Sequence, residues 1–291
     1  MRVTRLHLTD VHPDSSLPWA NGDVAVFAYL IDHPDGLILV DTGVGEGSEL
    51  IDSLYNPDHH DLSELIARAG HRIEDVSIII NSHLHFDHCG NNRLFPGVPI
   101  VVQRREYEAA HQPYFTIPDW VDFPGATIEQ IEGDWQVAVG IRIISTPGHT
   151  PGHQSVVVDS DDERVVICAQ ASYTPADYSA LQTGPDNTPT EDEETQRRSI
   201  QRLHDLDPHR VCFSHHPTDW LDPEVAFVEE TNGEKELVRL TADAEAIDEE
   251  LAALRPKANA SRLGSADRQR YARLRDRSAA AWRRVFARKR R

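Results

Sequence analysis

The apolar run Ser77-Ile78-Ile79-Ile80 passes directly into Asn81-Ser82-His83-Leu84-His85-Phe86-Asp87-His88, so three imidazoles and a carboxylate fall within six residues of a strand's end. Residues i and i+2 of an extended chain point the same way. His83 and His85 can therefore grip one cation while Asp87 and His88, past the turn, face another. Burying four such polar groups together without a cation would be costly, so the segment reads as a metal site. Any fold for this chain must bring further ligands to the end of that strand.

Two other strand-like runs end in the same way. Ile141-Arg142-Ile143-Ile144-Ser145 leads into Thr146-Pro147-Gly148-His149-Thr150-Pro151-Gly152-His153, and Arg210-Val211-Cys212-Phe213 leads into Ser214-His215-His216. In a layered α/β protein such strand ends gather on one edge, where sites form.

Between these motifs the pattern predicts strands over 23–31, 37–40, 76–80, 99–102, 141–145, 154–158, 164–168 and 210–213, the first two joined as a hairpin. It predicts helices over 61–69, 104–111, 191–204 and 223–231, with His59 and His60 on the surface at the start of the first. Strands alternating with helices, with hairpins among them, give an α/β chain of mixed sheets covered by helices. Residues 112–133, rich in Pro and aromatics without periodicity, read as a long loop over the site, with Tyr114, Phe115, Trp120 and Phe123 as a candidate apolar wall. No repeat of legible period occurs, although two halves each opening on a hairpin leave room for a structural duplication.

Composition narrows the function classes. With 291 residues and 39% apolar content the chain has material for a core. The net charge of -19 is unevenly spread: residues 255–291 hold fourteen Lys or Arg against two Asp or Glu, which leaves -31 on residues 1–254. So acidic a body repels polyanions and argues against a nucleic-acid substrate there. Residues 1–230 are expected to form the catalytic domain and 231–291 a helical, basic extension, docked on the acidic body or solvated. No segment has the length of a membrane span and no secretory leader is seen, so a soluble cytoplasmic protein is expected. Cys89, Cys168 and Cys212 read as reduced, packed thiols, Cys89 also lying beside the candidate ligands.

Taken in order, Asp41-Thr42-Gly43, Ser82 to His88, Thr146 to His153, Ala171-Ser172-Tyr173 and the strand into His215 resemble the metallo-β-lactamase superfamily over roughly residues 1–220. Within it the sequence is similar to the N-acyl-homoserine lactonases, through Ser82 to His88, Tyr107 in Arg105-Glu106-Tyr107-Glu108-Ala109-Ala110, and Ala171-Ser172-Tyr173. The resemblance implies an αββα sandwich of two mixed sheets flanked by helices. It implies zinc, one ion held by His83, His85 and His149 and a second by Asp87, His88 and His215. A bridging aspartate normally precedes Ala-Ser-Tyr, and Gln170 occupies that position here. An amide offers one neutral oxygen where a carboxylate offers two anionic ones, so the second ion is expected to bind more weakly. His153 is expected behind the ligands, with His216 as a substitute ligand.

The implied reaction is ring-opening hydrolysis of an acyl-homoserine lactone, a quorum-quenching activity. Metal binding lowers the pKa of water from 15.7 to about 7. Tyr173 would stabilise the developing oxyanion and Asp87 would carry the proton to the leaving alkoxide. Tyr173 reads equally well as a buried ring with a satisfied hydroxyl. Two alternatives stand beside this: a hydrolase for another small ester, lactone or thioester, and a weakly catalytic metal-binding protein acting through its basic tail. The resemblance allows a homodimer, which no apolar stripe demands.

Overall fold

Period-2 alternation of large apolar side chains fixes the layers. On the strand Val24–His33, Phe27, Tyr29 and Ile31 enter one core while Ala28 and Leu30 enter another. A strand buried on both faces must lie inside a sandwich. The computed structural model describes residues 1–222 apart from 18–19, 21, 161–162 and 185–188, and beyond 222 only Ala246, Arg273, Leu274 and Arg277. The chain divides into two compact units, Met1–Asp222 and Pro223–Arg291. The helix expected over 223–231 lies outside the described residues, and so does the extension expected from 231 apart from those four.

The first sheet has seven strands: β1 (Arg2–Val11), β2 (Val24–His33), β3 (Gly36–Val40), β4 (Asp58–His59), β5 (Val76–Ile80), β6 (Pro99–Gln103) and β7 (Thr127–Ile131), in the order β4-β1-β2-β3-β5-β6-β7. The second has six: β8 (Trp135–Ala138), β9 (Ile141–Ser145), β10 (Gln154–Asp159), β11 (Arg164–Ala169), β12 (Arg210–Phe213) and β13 (Trp220–Leu221), in the order β13-β12-β11-β10-β9-β8. Ile38, Val40 and Ile80 of the first sheet meet Ile143, Val156 and Ile167 of the second in the central core. Outside the first sheet, Leu62 and Ile66 of a helix over Leu62–Arg68 pack on Leu6, Leu39 and Ile79. Outside the second, Ile200 and Leu203 of the helix Glu193–His204 pack on Val157, Val166 and Val211. The result is two mixed sheets flanked by helices.

The two sheets repeat one plan. β2 runs antiparallel to both β1 and β3, and β3 then runs parallel to β5; β10 runs antiparallel to both β9 and β11, and β11 then runs parallel to β12. In both halves the chain leaves the hairpin's second strand in the left-handed region, at Asp41 (φ 62°) and Ala169 (φ 53°). In both, the parallel strand then delivers histidine, His83 after β5 and His215 after β12. Such φ values in residues with a Cβ are typical of strained functional turns.

The strands expected from the sequence are present within one or two residues. Several elements were not anticipated, three of them near the start of a sheet or outside its strands. β1 breaks its alternation at a bulge between His7 and Thr9; β8 is a half-exposed edge strand; and a helix spans Glu49–Tyr55. The expected loop over 112–133 needs correction, because it contains a helical turn, Pro118–Val121, and β7. β7 is an edge strand of mostly exposed polar residues, so no apolar pattern marked it. Trp120 and Phe123 are buried in the core and only Tyr114 and Phe115 reach the pocket. His59 lies in β4, not at a helix start; Asp61 caps the following helix by accepting from Glu64 N–H at 2.8 Å.

Candidate metal centre

The candidate ligands come from the C-terminal ends of β5, β9, β11 and β12, which share one edge of the sandwich. His83, His85 and His149 bring ring nitrogens within 4.8 Å of one another, and His85 Nδ1 lies 3.3 Å from His149 Nε2. Asp87, His88 and His215 form a second group within the same limit, Asp87 Oδ2 lying 3.4 Å from Nε2 of both histidines. The rings of His83 and His88, 3.9 Å apart, join the two groups. His216 belongs to neither group and accepts from the Thr218 N–H at 3.2 Å.

What these histidines can bind is decided by their outer nitrogens. His149 Nδ1–H donates to the Pro189 carbonyl at 3.0 Å and His215 Nδ1–H to the Ala25 carbonyl at 2.9 Å. His88 Nδ1–H donates to Asp41 Oδ2 at 2.8 Å. His83 Nδ1–H donates to Ser82 Oγ at 3.0 Å, and that hydroxyl gives its own hydrogen to Asp41 Oδ2 at 2.7 Å. Each bond places a hydrogen on Nδ1, so Nε2 of the neutral His83, His149 and His215 rings carries a lone pair turned inward, and Nε2 of His88 does so once that ring gives up its second proton. Nε2 of His83 is buried with no hydrogen-bond partner. Leaving a buried acceptor unsatisfied costs about 1–3 kcal/mol. Convergent imidazole lone pairs beside a carboxylate fit a divalent cation.

The two groups differ in their electrostatics. Burial, reinforced by neighbouring imidazoles, holds His83 and His149 well below the usual histidine range, and burial brings His85 down to about 4. These rings are neutral donors at neutral pH. At His88 burial is outweighed by the Asp87 and Asp41 carboxylates, which push the imidazole up to about 10. Burial would raise Asp87, but His88 and His215 hold it below the ordinary carboxylate range.

Gln170 is buried and lines the same pocket as His85, Asp87, His149 and His215. Its Nε2 donates to the Tyr173 hydroxyl at 2.6 Å, and its Oε1 is buried without a partner. Its backbone is locked: its N–H donates to His153 Nε2 at 3.2 Å, and its carbonyl accepts from Gln196 Nε2 at 2.9 Å. His153 thus supports Gln170 from behind. Tyr173 stacks on His215 with ring centres 6.0 Å apart.

Two buried carboxylates that the sequence did not single out as site residues hold these loops. Asp41 accepts from the Ser82 N–H, the Ser82 hydroxyl and His88. Glu106, fully buried on a helix over Arg104–Ala110, accepts from Leu84 N–H through Oε1 and from Thr150 Oγ1–H and Gly152 N–H through Oε2. It therefore joins the His83 loop to the His149 loop. Burial raises its carboxyl to about 7. Gly148 and Gly152 permit the close approach: a Cβ on the first would meet Gln196 N at 2.3 Å, and one on the second Glu106 N at 2.3 Å. Glu106 shares the buried face of its helix with Ala110 at i+4 spacing, which was the available signal. Tyr107, its neighbour, instead donates to Asp122 at 2.9 Å and does not line the pocket. Cys89 is buried and donates to the Leu84 carbonyl.

The ligands open into a pocket of about 420 Å³. His85, Asp87, His149, Gln170, Tyr173 and His215 form its floor, and Val11, Val24, Tyr55, Phe86, Phe115 and Pro189 supply an apolar wall. Among the described residues no helix is long and apolar enough to cross a membrane.

Comparison with known proteins places this geometry in a family. The chain is 37% identical over 169 residues to an N-acyl homoserine lactonase of Bacillus sp, covering 54% of this chain and 67% of that protein. It is 30% identical over 188 residues to the N-acyl homoserine lactonase AttM of Rhizobium radiobacter, covering 53% and 68%. A crystal structure of a variant of Bacillus thuringiensis AiiA, with N-decanoyl-L-homoserine bound at the active site, superposes with a TM-score of 0.62 at 29% identity, covering 73% of this chain and 92% of that one. The sequence pattern of the metallo-beta-lactamase superfamily matches residues 21–215, two thirds of the chain, and the chain belongs to that superfamily.

Proposed function

We propose that the chain is a zinc-dependent hydrolase that opens the lactone ring of N-acyl-homoserine lactones. The observation that carries this reading is the set of inward-facing imidazole nitrogens, each fixed by an acceptor behind it, beside the Asp87 carboxylate. His83, His85 and His149 would hold one ion and Asp87, His88 and His215 a second, with the Gln170 oxygen between them. The lactone is taken from relatives: one crystal structure of an N-acyl homoserine lactone hydrolase, 29% identical, has N-hexanoyl-L-homoserine bound at its catalytic metal centre.

Bound zinc supplies a Lewis acid for the carbonyl oxygen and water ionised near neutral pH. The chain's own groups do the rest. Because Gln170 donates to the Tyr173 oxygen, the Tyr173 O–H is left to donate into the pocket, where it stabilises negative charge developing on the lactone oxygen. Burial raises Tyr173 far above its usual range, so it stays protonated for this task. Asp87 is ionised, faces the pocket and passes the proton of the attacking water to the alkoxide leaving the ring. The wall with Val24, Phe86 and Phe115 accepts an acyl chain.

The test is turnover of acyl-homoserine lactones of several chain lengths beside aryl esters and thioesters, with metal per chain measured on the same sample. Lactone hydrolysis abolished by chelation and restored by zinc supports the reading. Turnover of thioesters or aryl esters without lactones would assign the pocket to another ester class.

A further inference from the structure

The edge of the first sheet carries a second set of donor atoms. His7 and Asp10 both lie on β1, three residues apart, a spacing that puts side chains on opposite faces of a regular strand. Here the pairing with β2 slips: His7 lies opposite Phe27 and Thr9 opposite Val26. The residue taken up by this bulge turns Asp10, opposite Ala25, to the same side as His7. His7 Nε2 then lies 2.9 Å from Asp10 Oδ1.

His60 completes the set from β4's far end. Its backbone N–H bonds the Leu8 carbonyl inside the bulge at 2.8 Å, and its ring lies 5.0 Å from that of His7. One donor atom from each of His7, Asp10 and His60 lies within 4.8 Å of the others. Asp58, directly opposite Asp10 in the β1–β4 ladder, shares its face. Like charges opposed across a ladder are unfavourable, and a cation beside Asp10 relieves that repulsion.

We propose that His7, Asp10 and His60 form a peripheral site for a divalent cation of the zinc class, separate from the pocket. Two imidazoles and a carboxylate suit zinc and its neighbours better than magnesium or calcium, which prefer all-oxygen sites. The side chains of His7 and Asp10 are 41% and 36% exposed, so the ion keeps water in its remaining positions. Binding ties residues 58–60 to the β1 bulge and so secures the edge of the sheet.

The experiment uses the full chain, stripped with a chelator, dialysed and titrated with zinc against a chromophoric competitor. The wild type is expected to bind one ion per chain more than His60→Ala and more than Asp10→Asn. Both substitutions change partly exposed side chains, and circular dichroism in chelator checks that each variant stays folded. Equal zinc stoichiometry in all three proteins would overturn the proposal. So would loss of the weakest ion in His215→Ala but in neither edge variant, because that ion then belongs to the pocket.

Discussion

Gln170 Nε2 donates to the Tyr173 hydroxyl at 2.6 Å, while Gln170 Oε1 is buried with no hydrogen-bond partner. One amide is thus placed for two tasks: its nitrogen donates to a hydroxyl, and its oxygen would offer a metal a neutral donor at the position where the family resemblance implies an aspartate. The first task needs the length and the N–H of glutamine; the second would be better served by aspartate.

Replacing Gln170 by Asp should strengthen the second metal site. Two anionic oxygens replace one neutral oxygen, and the dissociation constant of the weaker zinc ion should fall at least about tenfold, or about 1.4 kcal/mol. Metal per chain after dialysis reads this directly. If the parent already retains two ions and the substitution changes neither affinity, the amide is no weakness.

Removing the Tyr173 hydroxyl should damage turnover without emptying the site. A single donor lost from an oxyanion site costs about 10²–10³ in kcat. Tyr173→Phe keeps the ring stacked on His215, so metal content should hold. Unchanged kcat would return Tyr173 to a packing role.

The ligand motif is legible in sequence because ligands at strand ends need little tertiary context: β5, β9 and β12 are short, mostly apolar runs, and each leads within a few residues to histidine. The supports are less legible because their partners are distant in sequence. Asp41 reaches Ser82 and His88 across more than forty residues, and Glu106 meets Leu84 and Thr150 from a helix that reads as ordinary and amphipathic. Trp120 and Phe123 pass for pocket wall in the sequence because an aromatic residue in a segment without periodicity carries no sign of which way it faces.

Asp41→Asn should weaken metal binding through His88. Asp41 accepts three hydrogen bonds, from Ser82 N–H, Ser82 Oγ–H and His88 Nδ1–H. Its amide can satisfy at most part of that set and removes the charge that steadies His88. Loss of such an outer partner typically costs 10- to 100-fold in metal affinity. Zinc affinity measured by chelator competition should fall within about that range. An unchanged affinity would mean that Ser82 alone suffices to position the rings.

Glu106 should leave its mark on the pH dependence of stability. Burial raises its carboxyl from 4.5 to about 7, so between those values the folded chain holds a proton that the unfolded chain has released. Stability from this group is therefore greatest at the acid end of the window and falls as pH rises through it, by the order of 3 kcal/mol in all. The buried histidines His85 and His153, lowered to about 4 and about 3, act in the opposite sense, since they stay neutral in the fold while the unfolded rings take up protons. The two contributions separate in a difference measurement. Glu106→Gln, which cannot ionise, should lose stability at pH 5, where its amide N–H groups face the Thr150 and Gly152 donors, and recover relative to the parent toward pH 8. Urea unfolding of both proteins in chelator across this range reads the difference. Parallel curves would show that Glu106 holds the His83 and His149 loops together as an ordinary ionised carboxylate.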